Sequence, residues 1–221
     1  DGTNTVSSAG SSAAVIVDLS AQTATGGDAT GDTLANFQNV IGSSRNDTLT
    51  GDANANELTG GAGVDTISGG DGNDIIHVSG TGDATDHIDG GIGTDTIEVD
   101  GSGKLTLAGF NGVDWSIETF VGNGEAVLGS SKADTFDFTN VDVSNVLEVN
   151  GGSGNDTIIA GDDALRMIGG AGVDTLTGGA GDDTIVISGT GDSHDTISGG
   201  AGTGDTVEVG GTGNVTLVDG N

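Results

Sequence analysis

Two nine-residue units in direct succession between residues 60 and 77 constrain this chain more than any other feature. They read GGAGVDTIS and GGDGNDIIH, and both have the form Gly-Gly-x-Gly-x-Asp-x-aliphatic-x. The same period extends upstream through GSSRNDTLT and GDANANELT, so an aliphatic side chain recurs every nine residues, at Leu49, Leu58, Ile67 and Ile76. A regular period of this length indicates a stack of similar coils rather than a conventional globular core.

Each unit divides into a turn and a strand. The six residues GGxGxD predict a turn, because glycine tolerates the positive φ angles that tight turns need. The last three residues predict a short strand whose aliphatic side chain points inward. Two units then close one coil, and strands from alternate units stack in parallel about 4.8 Å apart. No segment has helical periodicity, so we predict an all-β fold, a parallel β-solenoid.

The nonapeptides return in the second half of the chain as GGSGNDTII, GGAGVDTLT and GGAGDDTIV. Asp65 corresponds to Asp174 and Gly80 to Gly189, and both pairs are 109 positions apart, so a unit of about 110 residues occurs twice. Such duplication is typical of modular arrays. We predict N-terminal β coils or a cap at residues 1–40, a first repeat block at 41–110, metal-poor connecting coils at 111–150 and a second repeat block at 151–221.

The composition limits the possible binding partners and raises the entropy cost of folding. The chain has 34 acidic and 4 basic residues and a net charge of −30, which excludes nucleic acid and anionic membrane surfaces and favours cations. There is no run of 18 apolar residues, so no membrane insertion is expected. The 45 glycines increase the entropy lost on folding. A thin aliphatic core is not expected to offset that loss alone, so another source of stability is needed.

The stacked turns predict that source. One turn alone offers a poor site, but two turns on the same side of the stack bring together carboxylates and several backbone carbonyl oxygens. An oxygen-only set with six to eight ligands suits Ca²⁺, whereas Mg²⁺ requires a tighter octahedron and releases water reluctantly. The chain has no Cys, which disfavours zinc. Calcium is therefore the predicted cofactor.

Residues 42–98 and 151–208 resemble the RTX (repeats-in-toxin) family of secreted bacterial proteins. The resemblance implies a right-handed β-roll whose turns bind calcium, with roughly six ions. It implies that Asp47 pairs with Asp65, Asp65 with Asp86, Asp74 with Asp95, Asp156 with Asp174, Asp174 with Asp195, and Asp183 with Asp205. The backbone carbonyls that it adds as ligands are those of Gly61, Gly63, Gly70, Gly72, Gly91, Gly93, Gly152, Gly154, Gly170, Gly172, Gly179 and Gly181.

The chain departs from the family pattern at several turns. Asn56 and Leu165 stand where Asp is expected, so we predict weak or absent sites at those turns. The longer turns at 80–89 and 189–198 contain Asp83 and Asp192, which are candidate extra ligands.

The sequence contains no Gly-x-Ser-x-Gly, Walker or His-Glu-x-x-His motif, and we predict that the chain is not an enzyme. A polysaccharide lyase or epimerase is disfavoured by the absence of Tyr and by the few basic residues. The resemblance instead implies a structural or adhesive module outside a bacterial cell. The expected partners are calcium and, through self-assembly or surface contacts, another copy of the chain, a cell surface or a polysaccharide. The resemblance also implies export through a one-step channel. The alternative is a calcium-triggered folding and secretion module attached to an extracellular enzyme not present in this chain.

Overall fold

A computed structural model describes residues 3–80, 85–101, 104–187 and 194–210. Its strands are short and follow one another closely along the chain. In order they are β1 Thr5–Ser7, β2 Ile16–Asp18, β3 Thr23–Thr25, β4 Asp32–Thr33, β5 Asn39–Ile41, β6 Thr48–Thr50, β7 Glu57–Thr59, β8 Thr66–Asp71, β9 Ile75–Val78, β10 His87–Ile92, β11 Thr96–Val99, β12 Lys104–Thr106, β13 Phe110–Asn111, β14 Thr119–Val121, β15 Ala126–Leu128, β16 Thr135–Asp137, β17 Asp142–Ser144, β18 Glu148–Ser153, β19 Thr157–Gly161, β20 Arg166–Ala171, β21 Thr175–Gly179, β22 Thr184–Ile187, β23 Thr196–Gly200 and β24 Thr206–Val209.

Helix is confined to two very short segments of the described residues. A 3-10 turn spans Gly27–Ala29 and one helical turn, α1, spans Gly112–Trp115. Neither these nor any other helix in the described part of the chain is long and apolar enough to cross a membrane. The parallel strands stack as a β-solenoid of about eight turns, which confirms the predicted fold class.

The chain divides into two compact units. Unit 1 comprises Asp1–Leu105 and Asp114–Val121, and unit 2 comprises Thr106–Val113 and Gly122–Asn221.

In unit 1, consecutive strands alternate between two sheets, as two nonapeptides per coil require. One sheet contains β10, β8, β6 and β2, and the other contains β1, β5, β7, β9, β11 and β14, in those orders. Leu49 pairs with Ile67 and Leu58 pairs with Ile76 in parallel register. These aliphatic side chains form columns in the core that also include Val17, Val40, Ile88, Ile97 and Phe120, all of them buried. The predicted inward position of each nonapeptide is confirmed.

The N-terminal part of unit 1 departs from the parallel pattern. Strand β2 pairs in parallel with β6 on one side but antiparallel with β3 on the other, and β3 pairs antiparallel with β4. Residues 1–40 lack the nonapeptide spacing, and a hairpin-like arrangement replaces the coil there. The antiparallel strands cover one edge of a sheet that would otherwise offer unpaired backbone groups.

Unit 2 repeats the two-sheet arrangement. One sheet contains β15, β18, β20, β22 and β24, and the other contains β13, β16, β19, β21 and β23. Phe136 pairs with Ile158, which pairs with Leu176. The rings of Phe110 and Phe138 stack with centroids 4.9 Å apart and planes tilted by 33°. Large aromatic side chains therefore fill the coils that precede the second block, where the nonapeptide spacing is looser.

Candidate metal centre

The predicted aspartates stand at the last position of the six-residue turns, immediately before a strand. Strand β8, for example, begins at Thr66, directly after Asp65. The turn aspartates are buried except at the C-terminal end of unit 2, where Asp195 is half-buried and Asp205 exposed. The buried ones are Asp47, Asp65, Asp74, Asp86, Asp95, Asp156, Asp174 and Asp183. Because buried carboxylates need compensating partners, their contacts decide what the turns can bind.

A ladder of hydrogen bonds joins the aspartates of stacked turns. In each case the backbone N–H of one aspartate donates to Oδ1 of the aspartate in the next turn on the same side. In unit 1 the N···O distances are 2.7 Å from Asp47 to Asp65, 2.8 Å from Asp65 to Asp86 and 2.8 Å from Asp74 to Asp95. In unit 2 they are 2.8 Å from Asp156 to Asp174, 2.9 Å from Asp174 to Asp195 and 3.0 Å from Asp183 to Asp205. The structure thus brings together every pair that the resemblance implies.

The second carboxylate oxygen has a different environment. Oδ2 is buried and accepts no hydrogen bond in Asp65, Asp74, Asp95 and Asp156. A buried charged oxygen without a hydrogen-bond partner destabilises the folded chain, and the ladder bonds to Oδ1 do not offset that cost. Within these turns, the protein therefore supplies half of each carboxylate's coordination and leaves the other half open.

The electrostatics of these groups reflect the same deficit. Burial raises the pKa of Asp74 and of Asp156 to about 6, and it raises the pKa of Asp65 and Asp95 above the ordinary value. The backbone hydrogen bond to each carboxylate opposes the rise, and neighbouring carboxylates add to it. A bound cation would oppose the rise in pKa, because its positive charge favours the ionised form of the carboxylate.

The glycines of the turn serve two different purposes. At the first position, a Cβ on Gly151 would lie only 2.5 Å from Oδ2 of Asp156, and at Gly60 and Gly69 it would clash with the turn's own aspartate. Glycine is needed there because the carboxylate folds back over its Cα. At the second position, Gly61 and Gly70 have φ angles of 99° and 108°, which L-residues with a side chain rarely adopt.

Several of the predicted carbonyl oxygens lie against the backbone of the next turn in the stack. The carbonyl oxygens of Gly70 and Gly72 lie against Gly91 and Gly93 of the next turn, and those of Gly152 and Gly154 lie against Gly170 and Gly172. Gly181 O lies against Gly202, while Gly179 O accepts N–H groups of Ala201 at 2.6 Å and Gly202 at 3.2 Å. The turn that stacks next to Gly61 and Gly63 includes residues 81–84, which lie outside the described ranges. Asp83 and Asp192, the candidate extra ligands, also lie outside them.

This donor set fits a hard divalent cation. Among the described residues, no group of three or more His, Cys, Asp or Glu side chains is placed to hold a metal ion. Backbone carbonyls must therefore supply much of any coordination shell, together with the open carboxylate oxygens. All of these donors are oxygens, which suits Ca²⁺ and not zinc or copper.

The departures from the family pattern coincide with additional hydrogen bonds, either in the same turn or in the neighbouring stacked turn. Asn56 accepts the N–H of Asp52 at 2.7 Å and donates through Nδ2 to Gln38 O at 2.8 Å. Leu165 is buried, and its N–H donates to Oδ1 of Asp183 at 2.9 Å. Oδ2 of Asp183 accepts the Gly179 N–H at 3.0 Å. These hydrogen bonds favour the prediction of weak or absent sites at both departures.

Two ladder residues were not selected from the sequence. Asp134 is buried and its N–H donates to Oδ1 of Asp156 at 2.8 Å, and Glu118 accepts the Asp95 N–H at 2.8 Å. The similarity of GSSKAD at 129–134 to GSSRND at 42–47 could have revealed Asp134. No spacing signal marks Glu118, because it follows the irregular turn around α1.

Comparison with known families agrees with this geometry. The model of the RTX calcium-binding nonapeptide repeat (4 copies) matches residues 41–76, 148–164 and 166–186. No curated protein matches the chain. The matched segments contain turns of both units in which Oδ2 of the aspartate accepts no hydrogen bond, including those that end at Asp65, Asp74 and Asp156. The chain therefore carries RTX calcium-binding nonapeptide repeats in both units, and these repeats support a calcium-binding module.

Proposed function

We propose that this chain is a calcium-folded structural or adhesive module of a secreted or cell-surface bacterial protein, such as a surface-layer, filament, adhesin or biofilm-matrix protein. The observation that carries the proposal is the series of buried Oδ2 atoms without hydrogen bonds in stacked turns of both units. Without a cation these turns place uncompensated charge inside the protein. With one they become its main stabilising element.

The proposed number of ions is roughly six. At a calcium concentration ten times the Kd, each ion adds about 1.4 kcal/mol, so the set adds about 8 kcal/mol. This is comparable with the whole stability of an ordinary domain, about 5–15 kcal/mol. RTX-repeat proteins are generally secreted, and an extracellular location would supply the calcium that the module requires.

The outer surface supports a role in contacts rather than in catalysis. Thr135, Thr157, Thr175 and Thr196 align in parallel register across four neighbouring strands of unit 2. A repeated polar face of this kind suits extended contacts with another copy, with a cell surface or with a polysaccharide. Duplication of the array repeats such a face along the chain.

Self-assembly tests the proposal. We expect calcium, added to the purified chain in a chelator-treated buffer, to produce folding followed by assemblies visible by light scattering and electron microscopy. Magnesium at the same concentration is the control and is expected to be ineffective. Calcium-dependent folding to a strict monomer that binds no surface polysaccharide would instead favour a folding module attached to an enzyme.

A further inference from the structure

Among the described turns that end in an aspartate, two kinds differ at the second residue of the turn. Where that residue is glycine with a positive φ, as at Gly61, Gly70, Gly91 and Gly152, Oδ2 of the turn's aspartate accepts no hydrogen bond. We name these the open turns. Where it is serine, at Ser43 and Ser130, the turn is different, and we name residues 42–47 and 129–134 the serine turns.

In the serine turns, the serine itself satisfies the aspartate. The Ser43 N–H donates to Oδ2 of Asp47 at 2.5 Å, and the Ser43 hydroxyl donates to Oδ1 at 2.9 Å. The turn at 129–134 repeats both bonds, from Ser130 to Asp134, at 2.5 Å and 3.1 Å. Asp47 also accepts the Val15 N–H at 2.8 Å. Neither carboxylate offers the open Oδ2 that the open turns present to a cation.

The fourth position of the serine turns adds a fixed positive charge. Arg45 and Lys132 stand there, where the open turns have glycine, and they are two of the four basic residues of the chain. Their backbone N–H groups donate to the serine hydroxyl, at 3.1 Å in both turns. The Arg45 Nε donates to Ser12 O at 3.3 Å, and a permanent positive charge beside the turn opposes the approach of a divalent cation.

Each serine turn also orients the first open aspartate of its ladder. The Asp47 N–H donates to Oδ1 of Asp65 at 2.7 Å, and the Asp134 N–H donates to Oδ1 of Asp156 at 2.8 Å. Because Oδ1 is held in this way, Oδ2 of the open aspartate is directed into its own turn. The serine turns thus act on the neighbouring site through the ladder and not through a ligand of their own.

We propose that the serine turns 42–47 and 129–134 are calcium-independent turns that close one end of a ladder and position the first calcium-binding aspartate. This proposal rests on calcium binding by the open turns, and it replaces the expectation that Asp47 is a ligand with a structural role. The general signature is Gly-Ser-Ser-base-x-Asp, in which the hydrogen bonds from the first serine to the aspartate take the place of the ion.

Counting the ions bound by the folded chain tests the proposal. After equilibrium dialysis against saturating calcium, atomic emission measures the calcium bound per chain. We expect Asp65→Asn and Asp156→Asn to lose at least one ion each. Asp47→Asn and Asp134→Asn are expected to keep the wild-type count while lowering the Tm by several degrees. Loss of an ion from either of the last two variants would overturn the proposal.

Milder variants decide the case if an Asp→Asn chain does not fold. Ser43→Ala and Ser130→Ala remove only the hydroxyl, and they are expected to keep the ion count and lower the Tm. Ser153→Ala, in the open turn 151–156, is the matched control and is expected to leave both values unchanged. A serine-turn variant that loses an ion, or whose Tm equals that of the control, contradicts the proposal. A wild-type chain that binds no calcium contradicts the proposed function instead.

Discussion

Replacing Asp74 by Asn should change stability in opposite directions with and without calcium. Asp74 is fully buried, its Oδ1 accepts the Asn56 N–H at 2.8 Å, and its Oδ2 accepts no hydrogen bond. Asn retains the Oδ1 acceptor and replaces the charged Oδ2 with a neutral amide. The ladder can therefore persist while the buried charge, and with it the proposed calcium ligand, disappears.

The expected magnitudes follow from the two roles of the carboxylate. Relief of an unsatisfied buried group is worth about 1–3 kcal/mol, so the unfolding free energy extrapolated to zero calcium should rise by that amount. At a calcium concentration 100 times the Kd, each ion contributes about 2.7 kcal/mol, so losing one ion should cost that amount. The curves of wild type and variant plotted against calcium concentration should cross.

Urea unfolding followed by circular dichroism, at a series of free calcium concentrations, measures this directly. The slope of unfolding free energy against the logarithm of calcium concentration gives the number of ions released, and it should fall by at least one. Asp71→Asn is the matched control, because Asp71 lies in the same turn but is exposed, and its slope should stay at the wild-type value. An Asp74→Asn chain with an unchanged slope, or one destabilised equally at every calcium concentration, would refute the reasoning.

Three further perturbations separate the metal sites from the core. Because burial raises the pKa of Asp74 and Asp156 to about 6, the folded metal-free chain binds more protons than the unfolded chain between about pH 4 and 6. Acidification across that window should increase the folded fraction in EDTA and weaken calcium binding, as circular dichroism and calorimetry would show; a calcium affinity independent of pH there would contradict it. Gly151→Ala should lower calcium affinity, since its Cβ would lie 2.5 Å from Oδ2 of Asp156, whereas Gly10→Ala, with open space around it, should not; equal affinities in calorimetric titrations would count against this role. Phe136→Ala should cost about 3–5 kcal/mol in urea unfolding because the ring is fully buried, with an unchanged calcium slope; a smaller slope would show that core and sites are coupled.

The nonapeptide period allowed the register of the fold to be predicted. Successive nonapeptides contribute strands to alternate sheets, so Leu49, Ile67 and Ile88 could be assigned to one core column. Each turn aspartate stands two residues before the aliphatic residue of its unit. Any coil that stacks the aliphatic side chains must therefore stack the aspartates as well. For this reason, the pairs of aspartates followed from the repeats without knowledge of the turn conformation.

What the repeats did not predict depends on local backbone geometry. GGAGDD at 178–183 matches the family pattern as well as GGAGVD at 60–65 does, yet Oδ2 of Asp183 accepts the Gly179 N–H. In the neighbouring turn on the same side of the stack, Leu165 stands where an aspartate is expected, and its N–H donates to Oδ1 of Asp183 at 2.9 Å. Likewise, the family resemblance implies that Asp47 is a ligand like the other turn aspartates, although the N–H and hydroxyl of Ser43 both donate to its carboxylate.

The β signal of the chain during removal and return of calcium tests the central claim most directly. Circular dichroism should show loss of most β structure as EDTA removes the ion, and recovery when excess calcium, but not magnesium, is added back. This result would mean that cations in the open turns hold the solenoid together. Full retention of the β signal in excess EDTA at neutral pH would contradict the account, because the buried open oxygens would then need no ion.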